Sequence, residues 1–301
     1  MRLDRSVFKL DLDRVIPVIE TFIAAKMNEL GRTGIVVPLS GGLDSSTVAA
    51  LCAQSVGLDK VTALLLPDRQ GAPDAIKFAT LVADRLGIKT VLQDTTKLNK
   101  SGGVYDFIAN KVPNKKLVAS VVRRYLVGDK GNFYLAGIAG TDHQLTREAL
   151  ASIYAKQRLR MVTTYHYAEL HRLMVVGSAH KSEDLLGLFV KFGVDDVADL
   201  MPLKMLYRSQ VLAIAARVGV PTEVLERSPN PEMLPGVEDK YQDILHVSSE
   251  VVDLVLWGIE QGLDDTFIAE SVALPVAKVA ELRDIVRLSA HMRHPSQFPQ
   301  L

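Results

Sequence analysis

The segment with the most evident chemistry is SGGLDSS at residues 40–46, which lies between an apolar run and a helical pattern. Gly41 and Gly42 allow the backbone to turn tightly and to approach a ligand closely. A helix N-terminus carries unpaired N–H groups and a partial positive charge, and it therefore favours anions. The segment adds three hydroxyl groups, those of Ser40, Ser45 and Ser46. Together these features predict a phosphate-binding loop.

Asp44 is the unusual member of this segment, because a carboxylate next to phosphates repels them. It is explained if it holds Mg²⁺ against the phosphate oxygens. The segment is not a P-loop of the GxxxxGK[ST] type, since no lysine follows the glycines. The alternative is a plain helix N-cap formed by Asp44 or a neighbouring serine.

The elements around this segment alternate between short apolar runs and amphipathic stretches. Strands are predicted at residues 34–39, 61–66, 90–93 and 173–177, and helices at 11–30, 44–56, 72–87, 146–172, 248–261 and 275–292. This alternation predicts an α/β fold with a doubly wound parallel sheet flanked by helices and followed by C-terminal helices. We expect a single domain over 1–301, with 240–301 as a helical subregion. Residues 94–144 and the proline-rich stretch 228–236 are less regular.

Composition narrows the class of protein. The 301 residues contain 35 Lys+Arg and 35 Asp+Glu, and this balance argues against nucleic acid as a partner. The lone cysteine, Cys52, excludes a disulfide framework and a cysteine zinc site, and its apolar surroundings predict a core residue. No run approaches the ~20 apolar residues of a membrane span, and the charged N-terminus lacks a signal core, so we expect a cytoplasmic protein without membrane contact.

The SGGLDSS segment resembles the loop of the N-type ATP pyrophosphatases, which holds the β,γ-pyrophosphate of ATP. Later segments, in order and at approximate spacing, resemble the motifs of ammonia-dependent NAD⁺ synthase. They are KQRLRM (156–161), VVGSAHKSEDLLGLFVKFG (175–193), ADLMPLKMLYRSQV (198–211), SPNPEMLPG (228–236) and HMRHP (291–295). The fold of this superfamily is of the adenine nucleotide alpha hydrolase type.

The resemblance implies an ATP-dependent ligase that forms NAD⁺ from deamido-NAD⁺ and ammonia through an acyl-adenylate, with release of pyrophosphate and AMP. Mg²⁺ is the implied cofactor and ATP the co-substrate. Family members are homodimers. No glutaminase is visible in the chain, so ammonia would be taken free or from a separate glutaminase.

The resemblance also assigns roles to individual residues near the nucleotide. Asp44 and Glu183 would be Mg²⁺ ligands, with Asn230 supplying an amide oxygen where the family has a threonine. Arg208, at a position where the family has lysine, would join the two acids as a catalytic residue and contact phosphate. Ser178 could reach the α-phosphate, and the stretch 66–70, starting at Leu66, would frame the adenine. His180 could orient a ligand.

Substrate binding is expected at five further residues. They are Arg158, Lys191, Asp199, His291 and Arg293. Arg158 and Arg160 lie about 200° apart around one helix, so they cannot both face one pocket. The sequence departs from the family here: it has GVDDVAD at 193–199 in place of GDGGAD, Met292 in place of a cation and Tyr154 in place of an asparagine.

These departures leave two alternatives to NAD⁺ synthesis. One is a related ligase that adenylates a different carboxylate. The other is a nucleotide-binding protein without catalysis, although such a protein has no evident need for both Asp44 and Glu183.

Overall fold

The computed structural model of the protein describes residues 3–71, 73–107, 133–230 and 237–294, excluding the side chains of Pro73 and Phe133. Four strands form one parallel sheet in the order β3-β2-β1-β4. They are β1 (Gly34–Pro38), β2 (Val61–Leu65), β3 (Lys89–Leu92) and β4 (Leu173–Val175). Each lies at one of the predicted positions.

Helices cover both faces of the sheet. They are α1 (Leu12–Glu29), α2 (Leu43–Val56), α3 (Pro73–Leu86), α4 (Thr96–Ser101), α5 (Phe133–Ala139), α6 (Gln144–His171), α7 (Lys181–Leu186), α8 (Arg208–Arg217), α9 (Thr222–Leu225), α10 (Lys240–Leu245), α11 (Ser249–Glu260), α12 (Asp265–Val272) and α13 (Val276–Leu288). The doubly wound α/β architecture with C-terminal helices is thereby confirmed.

Alternate residues of β1 explain this layering. Ile35 and Val37 point to one face and belong to the cluster built with α1, α2, α3 and α8. Val36 points to the other face and packs with Tyr167 of α6. All three side chains are fully buried, which accounts for the continuous apolar run in the sequence. Cys52 lies in the same core on α2, and burial raises the pKa of its thiol.

The strand order places a topological switch point between β1 and β4. The chain moves from β1 outward to β2 and β3, then returns through α6 to β4 on the other side of β1. In open parallel sheets, ligands bind at the carboxyl ends of the strands at such a point. The segments that follow β1 and β4, at residues 39–42 and 176–180, therefore define where a site is expected.

The C-terminal helices form a second apolar cluster beside the sheet. It includes Tyr241, Leu256 and Leu282, all fully buried, and reaches Leu186 at the end of α7. Helix α12 is absent from the predicted elements because it spans only eight residues; its N-cap is Asp264, whose side chain accepts a hydrogen bond from the Thr266 amide. The proposed subregion 240–301 remains a prediction. Among the described residues, no helix has the length and apolarity that crossing a membrane requires.

Parts of two predicted regions lie outside the described residues. In the irregular segment 94–144, the described residues form the short helices α4 and α5, whereas 108–132 are not described. In the proline-rich stretch, residues 228–230 are described and 231–236 are not.

Candidate active site

The predicted phosphate-binding loop connects the end of β1 to the start of α2. The Leu39 amide donates to the Leu64 carbonyl at 3.0 Å, which extends the β1–β2 pairing by one residue before the turn. Gly41 has a φ of +76°, and a Cβ there would lie 2.5 Å from the backbone nitrogen of Ala79. Both the conformation and the close approach require glycine at this position.

The N-cap of α2 is Gly42, and no side chain among the described residues caps this helix end. Capping by Asp44 or a neighbouring serine is therefore wrong. The hydroxyl oxygens of Ser40 and Ser45 lie 3.0 Å apart at the loop. The buried Ser46 hydroxyl donates to the Gly42 carbonyl at 2.7 Å, so its contact lies within the first helical turn.

Two acids from distant parts of the chain meet at the switch point. Asp44 lies in the first turn of α2, and Glu183 lies in the first turn of α7, beyond β4. His180, the N-cap residue of α7, is fully buried between them. Its Nε2 lies 3.8 Å from Asp44 Oδ1 and 3.6 Å from Glu183 Oε2. One potential ligand atom from each of the three residues lies within 4.8 Å of the others.

Several polar atoms of this cluster point at no protein partner. Asp44 Oδ1 and both ring nitrogens of His180 are buried, and none has a hydrogen-bond partner among the described residues. Buried polar atoms are almost always satisfied in folded proteins, and an exception calls for a ligand, an ion or a water. The cluster therefore has the donor atoms and the unmet bonding capacity of a site for a divalent cation.

Two cations approach the acids from the other side. Lys240 Nζ pairs with Glu183 Oε1, and Arg208 Nη1 lies 3.9 Å from Asp44 Oδ2. Burial opposes ionisation of Glu183, but the charges of Lys240, His180 and Arg208 and the Lys240 hydrogen bond outweigh it and hold its pKa well below the usual range. The Glu183 carboxylate is therefore ionised at neutral pH.

A buried carboxylate on α11 fixes the helices that carry Glu183 and Arg208. Asp253 accepts hydrogen bonds from the Ser182 hydroxyl at 2.5 Å and from the Ser209 amide and hydroxyl at 2.7 and 2.6 Å. Ser182 in turn accepts a bond from the Arg208 amide at 3.0 Å. Burial raises the pKa of Asp253, although these hydrogen bonds work against the rise. This clamp sets the relative position of the first turns of α7 and α8.

Two adjoining cavities open at this edge of the sheet. The first, of ≈ 230 Å³, has a largely apolar wall formed by the ends of β1 and β2 and by α3; Leu66 lines it. The second, of ≈ 160 Å³, contains Asp44, Glu183, Arg208 and Asn230. Both cavities share Ser40, Ser45, Arg160, Ser178 and Asp195. The first cavity thus offers one apolar wall, which suits a purine, and the second offers the charged groups that suit its phosphates.

A buried ion pair holds the loop that follows β2. Lys156 Nζ of α6 lies 2.6 Å from Asp68 Oδ2, and the Asp68 side chain is fully inaccessible. Arg160 Nη2 lies 3.8 Å from the same oxygen. Since Asp68 lines the first cavity, this pair fixes the wall next to Leu66. Arg160 faces both cavities, whereas Arg158 lines neither.

The residues predicted to bind the acceptor lie elsewhere and contact the chain itself. Arg158 Nε donates to the Lys191 carbonyl at 3.2 Å, and Lys191 Nζ donates to the His291 carbonyl at 2.9 Å. Arg293 donates to carbonyls at the ends of α7 and α13, including that of Leu185 at 2.9 Å. None of these four, nor Asp199, lines either cavity.

Asp199 has a structural contact of its own. Its carboxylate accepts hydrogen bonds from the Val175 amide at 2.8 Å and from the Tyr165 hydroxyl at 3.2 Å, so it joins β4 to α6. Substrate binding by all five residues remains a prediction. Asp195, from the loop that departs most from the family pattern, does face the cleft.

Sequence reasoning missed Lys240, Arg227 and Asp253. Arg227 donates to the Gly41 carbonyl at 2.9 Å and lies over the Phe78 ring at 4.1 Å, so it supports the loop, and it also lines the second cavity. Lys240 and Arg227 lie just outside the quoted motif 228–236, where the sequence gives no signal of their contacts. Asp253 carried a signal, since it is an acid within the apolar pattern of α11, where a buried carboxylate needs several donors.

The fold and the site together define an enzyme of the nucleotide-binding α/β class, with a glycine-rich loop and two carboxylates at a switch point. The family model described as NAD synthase matches residues 15–112 and 132–296. The chain belongs to the NAD synthase family. This confirms the resemblance found in the motifs and, with it, the enzyme class, an ammonia-dependent NAD⁺ synthase.

Individual relatives agree with this assignment. The NH₃-dependent NAD⁺ synthetase of Thermotoga maritima is 32% identical over 271 residues, which cover 89% of this chain and 94% of the relative. The NH₃-dependent NAD⁺ synthetase of Methanocaldococcus jannaschii is 28% identical over 290 residues, which cover 96% of this chain and 98% of the relative.

Solved structures show the same fold. The NMN synthetase of Francisella tularensis superposes with a TM-score of 0.70 at 21% identity, covering 97% of this chain and 100% of the other. The NH₃-dependent NAD synthetase of Campylobacter jejuni, in complex with nitrate, gives 0.67 at 20% identity with the same coverage.

Proposed function

We propose that the chain amidates deamido-NAD⁺ with ammonia in the cleft between β1 and β4, with Asp44, His180 and Glu183 as the cation site. The observation that carries this assignment is the meeting of the two acids at the switch point, beside a glycine-rich loop, with unmet bonding capacity between them. The overall reaction is inferred from membership of the family, and the residues that take part in it are inferred from the geometry of the site.

The donor set fits a divalent cation. Carboxylate oxygens of Asp44 and Glu183 are the ligands that Mg²⁺ prefers, and the His180 nitrogen extends the site to Mn²⁺ as well. Asn230 lines the same cavity and offers an amide oxygen. When bound, the cation neutralises charge that builds up on the phosphate oxygens.

Some residues of the site bind ATP, and others stabilise the charge that develops during the reaction. The SGGLDSS loop and the start of α2 bind the pyrophosphate part of ATP, and the wall containing Leu66 encloses the adenine. Arg208, with Ser178, stabilises negative charge at the α-phosphorus, where the acceptor carboxylate attacks and pyrophosphate leaves. Such preorganised electrostatic stabilisation is usually the largest contribution to catalysis. Ammonia then displaces AMP from the acyl-adenylate and forms the amide.

A second acceptor deserves a direct test. The loop 193–199 departs from the family pattern, and its Asp195 faces the cleft. One protein of the same fold is named an NMN synthetase. The acid counterpart of NMN, nicotinate mononucleotide, is therefore the competing substrate. A non-catalytic nucleotide-binding protein is disfavoured, because the chain aligns with most of the length of relatives that are named synthetases.

The experiment measures pyrophosphate release from ATP with Mg²⁺, ammonia and one of the two acids. We expect kcat/KM for deamido-NAD⁺ to exceed that for nicotinate mononucleotide by at least about tenfold, which corresponds to 1.4 kcal/mol of transition-state discrimination. A reversed ratio would favour the second acceptor, and no release with either acid would reject both. Replacing ammonia by glutamine should abolish product formation. The homodimer, the separate glutaminase and the cytoplasmic location remain predictions.

A further inference from the structure

Each acid of the cation site is matched with a cation from a different helix. Glu183 pairs with Lys240 of α10, and Asp44 lies near Arg208 of α8. The side chains of Glu183 and Lys240 are only 13% and 11% exposed, so this pair is largely withdrawn from solvent. Breaking a buried ion pair without replacing the lost charge is strongly unfavourable.

The Lys240 ammonium pairs with Oε1 of Glu183, next to the Oε2 atom that lies 3.6 Å from His180 Nε2. A divalent cation held by the same carboxylate would repel this ammonium, and the repulsion is stronger in a partly buried site than in water. Binding of a divalent cation at Glu183 therefore weakens the Lys240–Glu183 pair and favours movement of the lysine side chain. This four-carbon side chain is flexible enough to move while the backbone stays in place.

The backbone at Lys240 is well anchored. Its amide donates to the Pro229 carbonyl at 3.1 Å, and the preceding Asp239 caps α10 through the amides of Tyr241 and Gln242. Movement is thus restricted to the side chain. Lys240 lines the same cavity as Asp44, so a displaced ammonium remains next to the predicted phosphates.

The other cations that line this cavity differ from Lys240 in their contacts. Arg227 donates to the Gly41 carbonyl and lies over Phe78, Arg160 lies 3.8 Å from Asp68, and Arg208 lies 3.9 Å from Asp44. Lys240, in contrast, is held by the carboxylate that the incoming cation would neutralise. Its contact with Glu183 is therefore a direct ion pair that cation binding weakens.

We propose that Lys240 is a further catalytic residue. Its ammonium group pairs with Glu183 before ligands bind, and it moves to the leaving pyrophosphate when ATP and the divalent cation bind. This inference rests on the proposed function. The lysine would keep Glu183 charged and in position between turnovers, and it would then neutralise the phosphate oxygens that gain charge as the α–β bond breaks.

The test compares Lys240→Met with the unaltered protein, using two readouts. The first is Mn²⁺ binding without nucleotide, followed by electron paramagnetic resonance. Because the competing ammonium is gone, we expect Mn²⁺ to bind about tenfold more tightly. The second is turnover with deamido-NAD⁺: we expect kcat for pyrophosphate release to fall about 100-fold, with weaker product inhibition by pyrophosphate.

Two further variants make the outcome decisive. Lys278→Met removes a lysine that pairs with Glu281 on α13, and neither residue lines the cleft; it should change neither readout. Lys240→Arg keeps the charge and should retain part of the turnover, and it also serves if Lys240→Met does not fold. Unchanged Mn²⁺ affinity in Lys240→Met would overturn the proposal, as would tighter Mn²⁺ binding with normal turnover. If the unaltered protein releases no pyrophosphate, the proposed function fails, whereas the Mn²⁺ comparison still tests the competition.

Discussion

The two ends of the candidate site use their charged residues in opposite ways. At the nucleotide end, Asp44 and His180 have buried polar atoms without a partner among the described residues, and Asp44 lines the second cavity. At the predicted acceptor end, Arg158, Lys191 and Arg293 donate to backbone carbonyls of the chain itself. The residue types suggest ligand binding in both regions, but the contacts that these side chains make within the protein differ between the two.

This difference shows which observation points to a ligand. A buried polar atom without a hydrogen-bond partner lowers the stability of the folded protein, and a ligand that bonds to it removes this penalty. A lysine or arginine that already donates to backbone carbonyls has no such penalty to remove. Apart from the Lys240–Glu183 pair, the nucleotide end is therefore preorganised for a ligand. The acceptor end would have to exchange internal hydrogen bonds for substrate contacts.

The largest effect is expected from Asp44→Asn, which sharpens the comparison at the nucleotide end. The substitution keeps the shape of the side chain but removes the negative charge needed for the cation. We expect pyrophosphate release to fall by about 10³-fold, while the thermal unfolding midpoint changes little. The control is Asp59→Asn, on an exposed residue in the short 3₁₀ helix before β2. Turnover within a few-fold of normal in Asp44→Asn would contradict the metal assignment.

A smaller effect is expected from Asp253→Asn, which tests whether the clamp on α7 and α8 positions the site. An amide cannot accept all three hydrogen bonds from Ser182 and Ser209, so we expect a loss of roughly 1–3 kcal/mol in the free energy of unfolding. We also expect Mn²⁺ affinity and kcat to fall about tenfold, because Glu183 and Arg208 lose their fixed separation.

Chemical denaturation, Mn²⁺ titration and kinetics on the same preparation separate the two effects of Asp253→Asn. The matched control is Asp284→Asn, whose side chain is 65% exposed on α13. Lower stability with normal Mn²⁺ affinity and normal kcat would limit Asp253 to a structural role.

Much of the fold and the core of the nucleotide end could be predicted from the sequence. Buried parallel strands appear as continuous apolar runs, and the loop after β1 combines glycines, serines and an acid in one short segment. Both signals are local. The sequence therefore located the four strands, the glycine- and serine-rich loop after β1 and the meeting of Asp44 with Glu183, the latter through the family motifs, whereas phosphate binding by the loop remains a prediction.

The remaining parts of the site depend on contacts between distant segments. Lys240 reaches Glu183 across 57 positions, and Asp253 reaches Ser182 across 71. Nothing in the local pattern of either segment indicates its partner. Similarly, a lysine or arginine in a motif looks the same whether it binds a phosphate or a carbonyl, so the sequence could not distinguish the two ends.

The smallest effect on turnover is expected at the acceptor end, from Arg293→Lys, and this variant could break the comparison. Arg293 donates from Nη1 to the Leu185 carbonyl and the Ser289 hydroxyl, and from Nη2 to the Val286 carbonyl, each at 2.9 Å. A lysine keeps the charge but cannot reproduce this planar set of donors. If these bonds are the main role of the residue, unfolding should cost about 1–3 kcal/mol less, and KM for deamido-NAD⁺ should stay within about twofold, which is under 0.5 kcal/mol.

His291→Ala, on an exposed neighbour, provides the control and should leave stability nearly unchanged. A large rise in KM with normal stability would instead show that the acceptor end exchanges its internal bonds for substrate, and the contrast between the two ends would then describe only the empty enzyme.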